Sequence, residues 1–204
     1  MSIRVKICGI TRAEDALTAA YYGADAIGFV FWEKSARFVT AKAAKEITKV
    51  LPPFVDKVGV YVNPTREWVE ETARMAGLTL LQFHGDEKPE FCDQFLLPYI
   101  KAIRVQEGLD LLQCADQHRH AKGLLLDTYA ASMPGGTGHV FDWDLIPQNL
   151  SLPLILSGGL HPDNVCSAVE KTQPWAVDVS TGVEASKGIK NKDKIAAFMQ
   201  GVRK

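Results

Sequence analysis

Apolar, β-rich segments recur along the chain at Val5–Cys8, Ala26–Phe31, Val58–Val62, Thr79–Phe83, Ile100–Val105, Leu124–Asp127, Leu154–Leu156 and Ala176–Val179. Their starts fall roughly 20 to 30 residues apart. Between them lie amphipathic stretches with helix signals: Thr11 before Arg12–Tyr22, Thr40 before Ala41–Leu51, and Asn63-Pro64-Thr65 before Arg66–Ala76, which ends at Gly77. Lys88–Leu97, Leu109–His118, a short Trp143–Ile146 turn, Pro162–Lys171 and Asn191–Val202 bring the helical slots to eight. Strands separated by helical patterns imply βαβ units and a parallel sheet. Eight such units predict an α/β fold, a (β/α)8 TIM barrel formed as a single domain over residues 1–204. The competing layout, a doubly wound open sheet, predicts Gly-x-Gly-x-x-Gly after the first strand, and Cys8-Gly9-Ile10-Thr11 is not that.

Size and charge narrow the partners. At 204 residues and 22.4 kDa the chain suits one sizeable core. A formal net charge of −1 gives no electrostatic reason to expect nucleic acid or an anionic membrane surface, so an anionic ligand must be held locally. The longest apolar run, Ala26 to Trp32, is far below the ~20 residues a membrane span needs. The N-terminus enters a strand without the pattern of a secretory signal. Cys8, Cys92, Cys114 and Cys166 lie far apart with no C-x-x-C pair, which indicates neither a zinc site nor a disulfide framework. The expectation is a soluble, cytoplasmic protein with reduced thiols.

The unusual residues follow the strands, as expected if the mouth of a barrel is the working face. The first strand ends on a thiol, Cys8, and side-chain alternation sends Lys6 the same way one layer deeper. A small buried hydrophobe is the alternative reading of Cys8. After the second strand, Arg37 beside Ser35 is suited to gripping a carboxylate, unless the loop is simply solvated. The fourth strand closes on Leu81-Gln82-Phe83-His84-Gly85, where His84 is an acid, a base, a hydrogen bond to substrate, or a satisfied structural group. His118 and His120 read as surface residues near a helix end. The sixth strand stops on Asp127, and a carboxylate at the end of a buried strand is costly unless it is paired or used; a turn aspartate is the alternative.

Gly158-Gly159 after the seventh strand and Ser180-Thr181-Gly182 after the eighth can bring backbone N–H groups up to an anion, at the usual phosphate site of such barrels. Alternation also places Asp178 one layer below Ser180. Strands one and eight are neighbours in a closed barrel, so Lys6 and Asp178 should interact beneath the site.

Lys6-Ile7-Cys8-Gly9-Ile10-Thr11 resembles the N-terminal signature of the phosphoribosylanthranilate isomerase family of tryptophan biosynthesis. Gly135-Gly136-Thr137-Gly138 with the following Phe141-Asp142-Trp143, and Leu81 to Gly85, match the same family, so that the resemblance spans Lys6 to Glu184. Ala36 stands where the family has the proline of Ser-Pro-Arg, and Thr181 where it has the second serine of Ser-Ser-Gly. The resemblance implies an Amadori rearrangement of N-(5-phosphoribosyl)anthranilate, with Asp127 as general acid and Cys8 as general base. It implies Arg37 at the anthranilate carboxylate and substrate-binding positions for His84 and Asp178. Phosphate would lie on Gly136, Thr137, Gly138, Gly158, Gly159, Ser180 and Thr181. No metal or organic cofactor is implied, because the substrate's nitrogen acts as the electron sink, and the protein would be a monomer or homodimer.

The ordinary pKa values suit neither role: a carboxyl near ~3.9 is ionised at neutral pH, and a thiol near ~8.5 is almost all thiol. The environment must therefore move them toward each other, and Cys8 is expected to be a partly exposed thiolate. Two rivals stand beside this reading. One is another phosphosugar barrel, such as an indole-glycerol-phosphate synthase-like enzyme or an aldolase using Lys6 as a Schiff-base nucleophile. The other is a non-catalytic phosphate-binding barrel, against which the presence of both Cys8 and Asp127 argues.

Overall fold

The computed structural model describes residues 2–128 and 141–203. Eight parallel strands close on themselves in chain order: β1 (Arg4–Ile7), β2 (Ala26–Val30), β3 (Asp56–Tyr61), β4 (Leu80–Phe83), β5 (Tyr99–Val105), β6 (Leu124–Thr128), β7 (Leu154–Leu156) and β8 (Ala176–Val179). The expected (β/α)8 barrel is therefore the fold. Closure sets Lys6 of β1 opposite Ala26 of β2 on one side and Asp178 of β8 on the other.

The sheet separates two apolar layers. Ile7, Ile27, Phe29, Tyr61, Leu81, Phe83, Leu124, Leu126, Leu156 and Val177 belong to the large cluster that packs the strands against the helices. The alternate residues Ile100, Ala102, Leu125, Ile155 and Ala176 form a small separate cluster inside the barrel. Two residues further along those strands the interior turns polar, with Asp127, Ser157 and Asp178, all buried. The period of two that fills the barrel with small aliphatics thus aims acids and hydroxyls at its carboxyl end.

The helices are α1 (Ala13–Tyr21), α2 (Ala41–Thr48), α3 (Arg66–Ala76), α4 (Pro89–Cys92), α5 (Leu111–Gln117), α6 (Val165–Thr172) and α7 (Lys192–Val202). Thr40 and Thr65 cap as expected, accepting from the N–H groups of Ala43 and Trp68, and Gly77 ends α3 in the left-handed conformation at φ 61°. Trp143–Leu145 forms a single 3-10 turn.

Three expectations need correction. Thr11 does not cap α1; Arg12 occupies that position without a side-chain bond, and the Thr11 hydroxyl donates instead to the Gly188 carbonyl at 2.5 Å. The Lys88–Leu97 slot holds only the four residues of α4. His118 is buried rather than on the surface, and burial lowers its pKa; His120 is exposed and pairs with Asp93 at 2.8 Å. After β8 the chain adds a hairpin that the sequence pattern did not reveal, β9 (Glu184–Ser186) against β10 (Ile189–Lys190). Among the described residues no helix is long and apolar enough to cross a membrane.

Candidate active site

One pocket opens at the carboxyl end of the barrel, and Cys8, Arg37, His84, Asp127, Gly158, Gly159, Asp178, Ser180 and Thr181 all line it. Nine of the twelve site residues expected from sequence are thereby brought together. The other three, Gly136, Thr137 and Gly138, lie outside the described residues.

Cys8 sits just past β1 with its N–H donated to the Val179 carbonyl at 2.8 Å. The residue is buried, at 7% exposure, so the expectation of a partly exposed thiolate is corrected. Burial pushes the thiol's pKa up; the nearby Lys6 charge pulls against it without overcoming it. Gly28 on β2 makes room for the sulfur, because a Cβ built there would stand 2.8 Å from Cys8 Sγ and 3.1 Å from Lys6 Cε.

The pair expected below the site is present. Lys6 Nζ donates to Asp178 Oδ1 at 2.7 Å with both side chains 6% exposed, and Ser157 Oγ donates to Asp178 Oδ2 at 3.2 Å. Burial alone would lower the Lys6 pKa, but Asp178 and Cys8 together push it up to about 12. Lys6 is thus a fixed cation under the thiol. A Schiff-base nucleophile needs a neutral amine, so this pairing counts against the aldolase alternative.

Asp127, at 4% exposure, is the penultimate residue of β6 and faces inward. Its Oδ1 accepts from the Thr128 N–H at 2.8 Å, and its Oδ2 meets His84 Nε2 at 3.1 Å. His84 Nδ1 in turn lies 2.9 Å from Gln82 Nε2. The loop carrying His84 is braced from outside the barrel: Lys101 donates to the Gly85 carbonyl and to Glu87, both at 2.7 Å, and Glu87 accepts from Gly85 and Asn63 N–H. Gln82, Lys101 and Glu87 were not singled out in the sequence, although Gln82 stood within the quoted Leu81-Gln82-Phe83-His84-Gly85 motif.

Arg37 is already engaged. Its Nε and Nη2 form a fork on Glu184, at 2.7 and 2.8 Å, which holds the guanidinium firmly charged. Ser35 accepts from the Arg37 N–H at 3.1 Å, a turn that stiffens the loop where the proline is replaced by Ala36. Glu184 also accepts from Lys190 at 3.1 Å, and Lys190 reaches the Ser180 carbonyl at 3.0 Å. Burial would raise Glu184, yet Arg37 and Lys190 hold it below the usual carboxylate range. The β9–β10 hairpin therefore ties the arginine to the Ser180 loop.

Gly158 and Gly159 take left-handed conformations, φ 85° and 65°. A Cβ on Gly158 would come within 2.4 Å of the Thr128 hydroxyl, so this position admits no side chain without moving the end of β6. The N–H groups of Gly158, Gly159 and Ser180 donate to no backbone carbonyl among the described residues. Such free donors at the ends of β7 and β8 are suited to an anion.

Residues 5–201 match the family profile described as N-(5'phosphoribosyl)anthranilate (PRA) isomerase. The chain belongs to the N-(5'-phosphoribosyl)anthranilate isomerase family. The isomerase of that name from Nitrosospira multiformis is 66% identical over 202 residues, covering 99% of this chain and 97% of the relative. That of Pseudomonas syringae pv. tomato is 55% identical over 201 residues, 98% of each chain. The crystal structure of the Thermotoga maritima phosphoribosyl anthranilate isomerase superimposes with a TM-score of 0.91 at 42% identity, over 98% of both chains. A second crystal structure, of a phosphoribosyl anthranilate isomerase in complex with reduced 1-(o-carboxyphenylamino)-1-deoxyribulose 5-phosphate, matches with a TM-score of 0.88 at 42% identity, again over 98% of both. The family's reaction, the isomerisation of N-(5-phosphoribosyl)anthranilate in tryptophan biosynthesis, is the activity of this chain.

Proposed function

We propose that this chain runs the Amadori rearrangement by acid–base catalysis from two strand ends, with Asp127 as the acid and Cys8 as the base. Asp127 protonates the furanose ring oxygen, the ring opens, and the anthranilate nitrogen becomes an iminium. Cys8 then removes the proton from the adjacent sugar carbon, and the electron pair left behind neutralises the iminium nitrogen. The resulting enolamine rearranges to the 1-deoxyribulose phosphate ketone. No net proton is consumed.

The observation that carries this reading is that Cys8 and Asp127, from strands far apart in sequence, line a single pocket that also holds a forked arginine and backbone donors without a backbone partner among the described residues. In this assignment Arg37 takes the anthranilate carboxylate with the donors that Glu184 leaves free. The phosphate lies on Gly158, Gly159, Ser180 and Thr181, joined by Gly136, Thr137 and Gly138. His84 orients Asp127, and Asp178 fixes the floor of the site through Lys6 and Ser157. The four free cysteines suit a reducing compartment, and we place the reaction in the cytoplasm.

Asp127→Asn tests the acid. An amide keeps the shape but delivers no proton, so turnover should fall by ~10²–10⁴-fold while a reduced product analogue binds as before. A variant that keeps half of its turnover removes Asp127 from the role.

A further inference from the structure

We propose that Gln82 is a positioning residue for the acid step, its side-chain amide setting which nitrogen of His84 carries the proton and thereby the protonation of Asp127. The inference rests on Asp127 being the acid and adds a group that does not itself touch the reacting atoms.

Gln82 is 1% exposed and lies inside the barrel on β4, two residues before His84. An amide nitrogen only donates, so the 2.9 Å contact from Gln82 Nε2 makes His84 Nδ1 the acceptor. The imidazole hydrogen then sits on Nε2 and is donated to Asp127 Oδ2 at 3.1 Å. This arrangement fits an ionised Asp127 beside a neutral histidine. Gln82 Oε1 meanwhile has no hydrogen-bond partner among the described residues.

An acid needs one more proton. Added along the His84–Asp127 hydrogen bond, that proton gives one of two forms. Either Asp127 Oδ2–H donates to a bare Nε2 and the ring hydrogen is on Nδ1, or the imidazole is cationic and carries both hydrogens. Both forms put a hydrogen on Nδ1, facing the Gln82 NH₂. A half-turn of the amide resolves the clash by presenting Oε1, the atom left without a partner. Amide orientation, histidine tautomer and carboxyl protonation therefore change together, in a side chain that needs no backbone movement.

The charged groups that face this chain of contacts from other elements are themselves committed. On β5, Lys101 is paired with Glu87 and Arg104 with Asp86. On β1 and β8, Lys6 is paired with Asp178; from the loop after β2, Arg37 is held by Glu184. Lys34, Lys187 and the Cys8 thiol line the same pocket. None of them hydrogen-bonds to His84 or Asp127 among the described residues, which leaves Gln82 as the switchable partner.

The test combines ¹⁵N-histidine NMR with the pH profile of kcat/KM. In the wild-type enzyme at pH above the alkaline limb, the His84 signal, assigned by its loss in His84→Gln, should report a bare Nδ1 and a protonated Nε2. Gln82→Met, which keeps the length and removes both hydrogen-bonding atoms, should give a mixture of the two tautomers. Gln82→Glu supplies an acceptor only, holds Nδ1–H, and should move the alkaline limb up by about one pH unit, tenfold in proton concentration. A wild-type His84 protonated on Nδ1 at high pH overturns the proposal. So do folded Gln82→Met and Gln82→Glu enzymes whose limbs superimpose on the wild type's. If Gln82→Glu does not fold, the wild-type and Gln82→Met spectra decide alone. Turnover retained in Asp127→Asn would instead defeat the acid assignment and leave the tautomer result standing.

Discussion

Arg37 and Glu184, 147 residues apart in sequence, meet in a two-pronged ion pair at 2.7 and 2.8 Å at the rim of the pocket. In the proposed reading Arg37 faces substrate, so it is held in place before substrate arrives by a residue that makes no contact with the ligand. Glu184→Gln should accordingly raise KM by about tenfold, with kcat changed little, because one prong becomes a neutral hydrogen bond and the other is lost, an amide nitrogen being no acceptor. Arg37→Ala should raise it more, and an analogue without the anthranilate carboxylate should bind wild type and Arg37→Ala alike. Steady-state kinetics of the two variants check this; an unchanged KM in Glu184→Gln would show that the pair does not position the arginine.

The same carboxylate makes stability depend on pH. Its folded pKa lies below the ordinary 4.5, so the stabilisation it gives is complete above that value and is lost as pH falls through the lower folded one. Glu184→Gln should be less stable than wild type by about 1.5–3 kcal/mol at neutral pH. Urea unfolding should show this gap narrowing as pH drops below 4.5. A gap that stays constant down to pH ~3, well below the ordinary carboxylate range, would contradict the pairing as its cause.

Gly28 has a backbone that alanine can adopt, since its φ is not positive, but no space for a methyl group beside the Cys8 sulfur. Gly28→Ala should fold with a loss of about 1–3 kcal/mol from overpacking and should displace the thiol. Because misplacement by about 1 Å can cost 10²-fold in rate, kcat should fall by that order while the affinity for inorganic phosphate is preserved. Wild-type kcat in a folded Gly28→Ala would mean that the sulfur position is not critical.

The parts of this architecture legible in sequence are those governed by short periods. Alternation along a strand and closure of eight strands placed Lys6 against Asp178, and that pair is present at 2.7 Å. Cys8, His84 and Asp127 were legible because each ends or directly follows an apolar run. Glu184 and Lys190 were not, because the strands that carry them are three and two residues long and show no alternation. Their partners lie on other loops, and only the fold brings the charges together. Lys101 and Glu87 were hidden for the same reason, being ordinary charged residues in sequence yet 3% and 8% exposed in the fold. Thr11 had the chemistry of a helix cap, but the Gly188 carbonyl competed for its hydroxyl and won. The Cys8 thiol was expected in reach of solvent; packing on Lys6 and the side-chain-free Gly28 buries it.

The most direct test of the central claim, that a buried thiol and a carboxyl at the carboxyl ends of β1 and β6 perform the isomerisation, is the rate at which Cys8→Ser consumes N-(5-phosphoribosyl)anthranilate, followed by loss of substrate fluorescence. The change in volume is small, so the protein should fold normally and bind a reduced product analogue. A serine hydroxyl is a far weaker acid than a thiol and cannot supply the anion. Turnover should fall by at least ~10²–10⁴-fold, the range of a lost general base. Turnover close to wild type in Cys8→Ser would contradict the mechanism and leave Cys8 as packing at the end of β1.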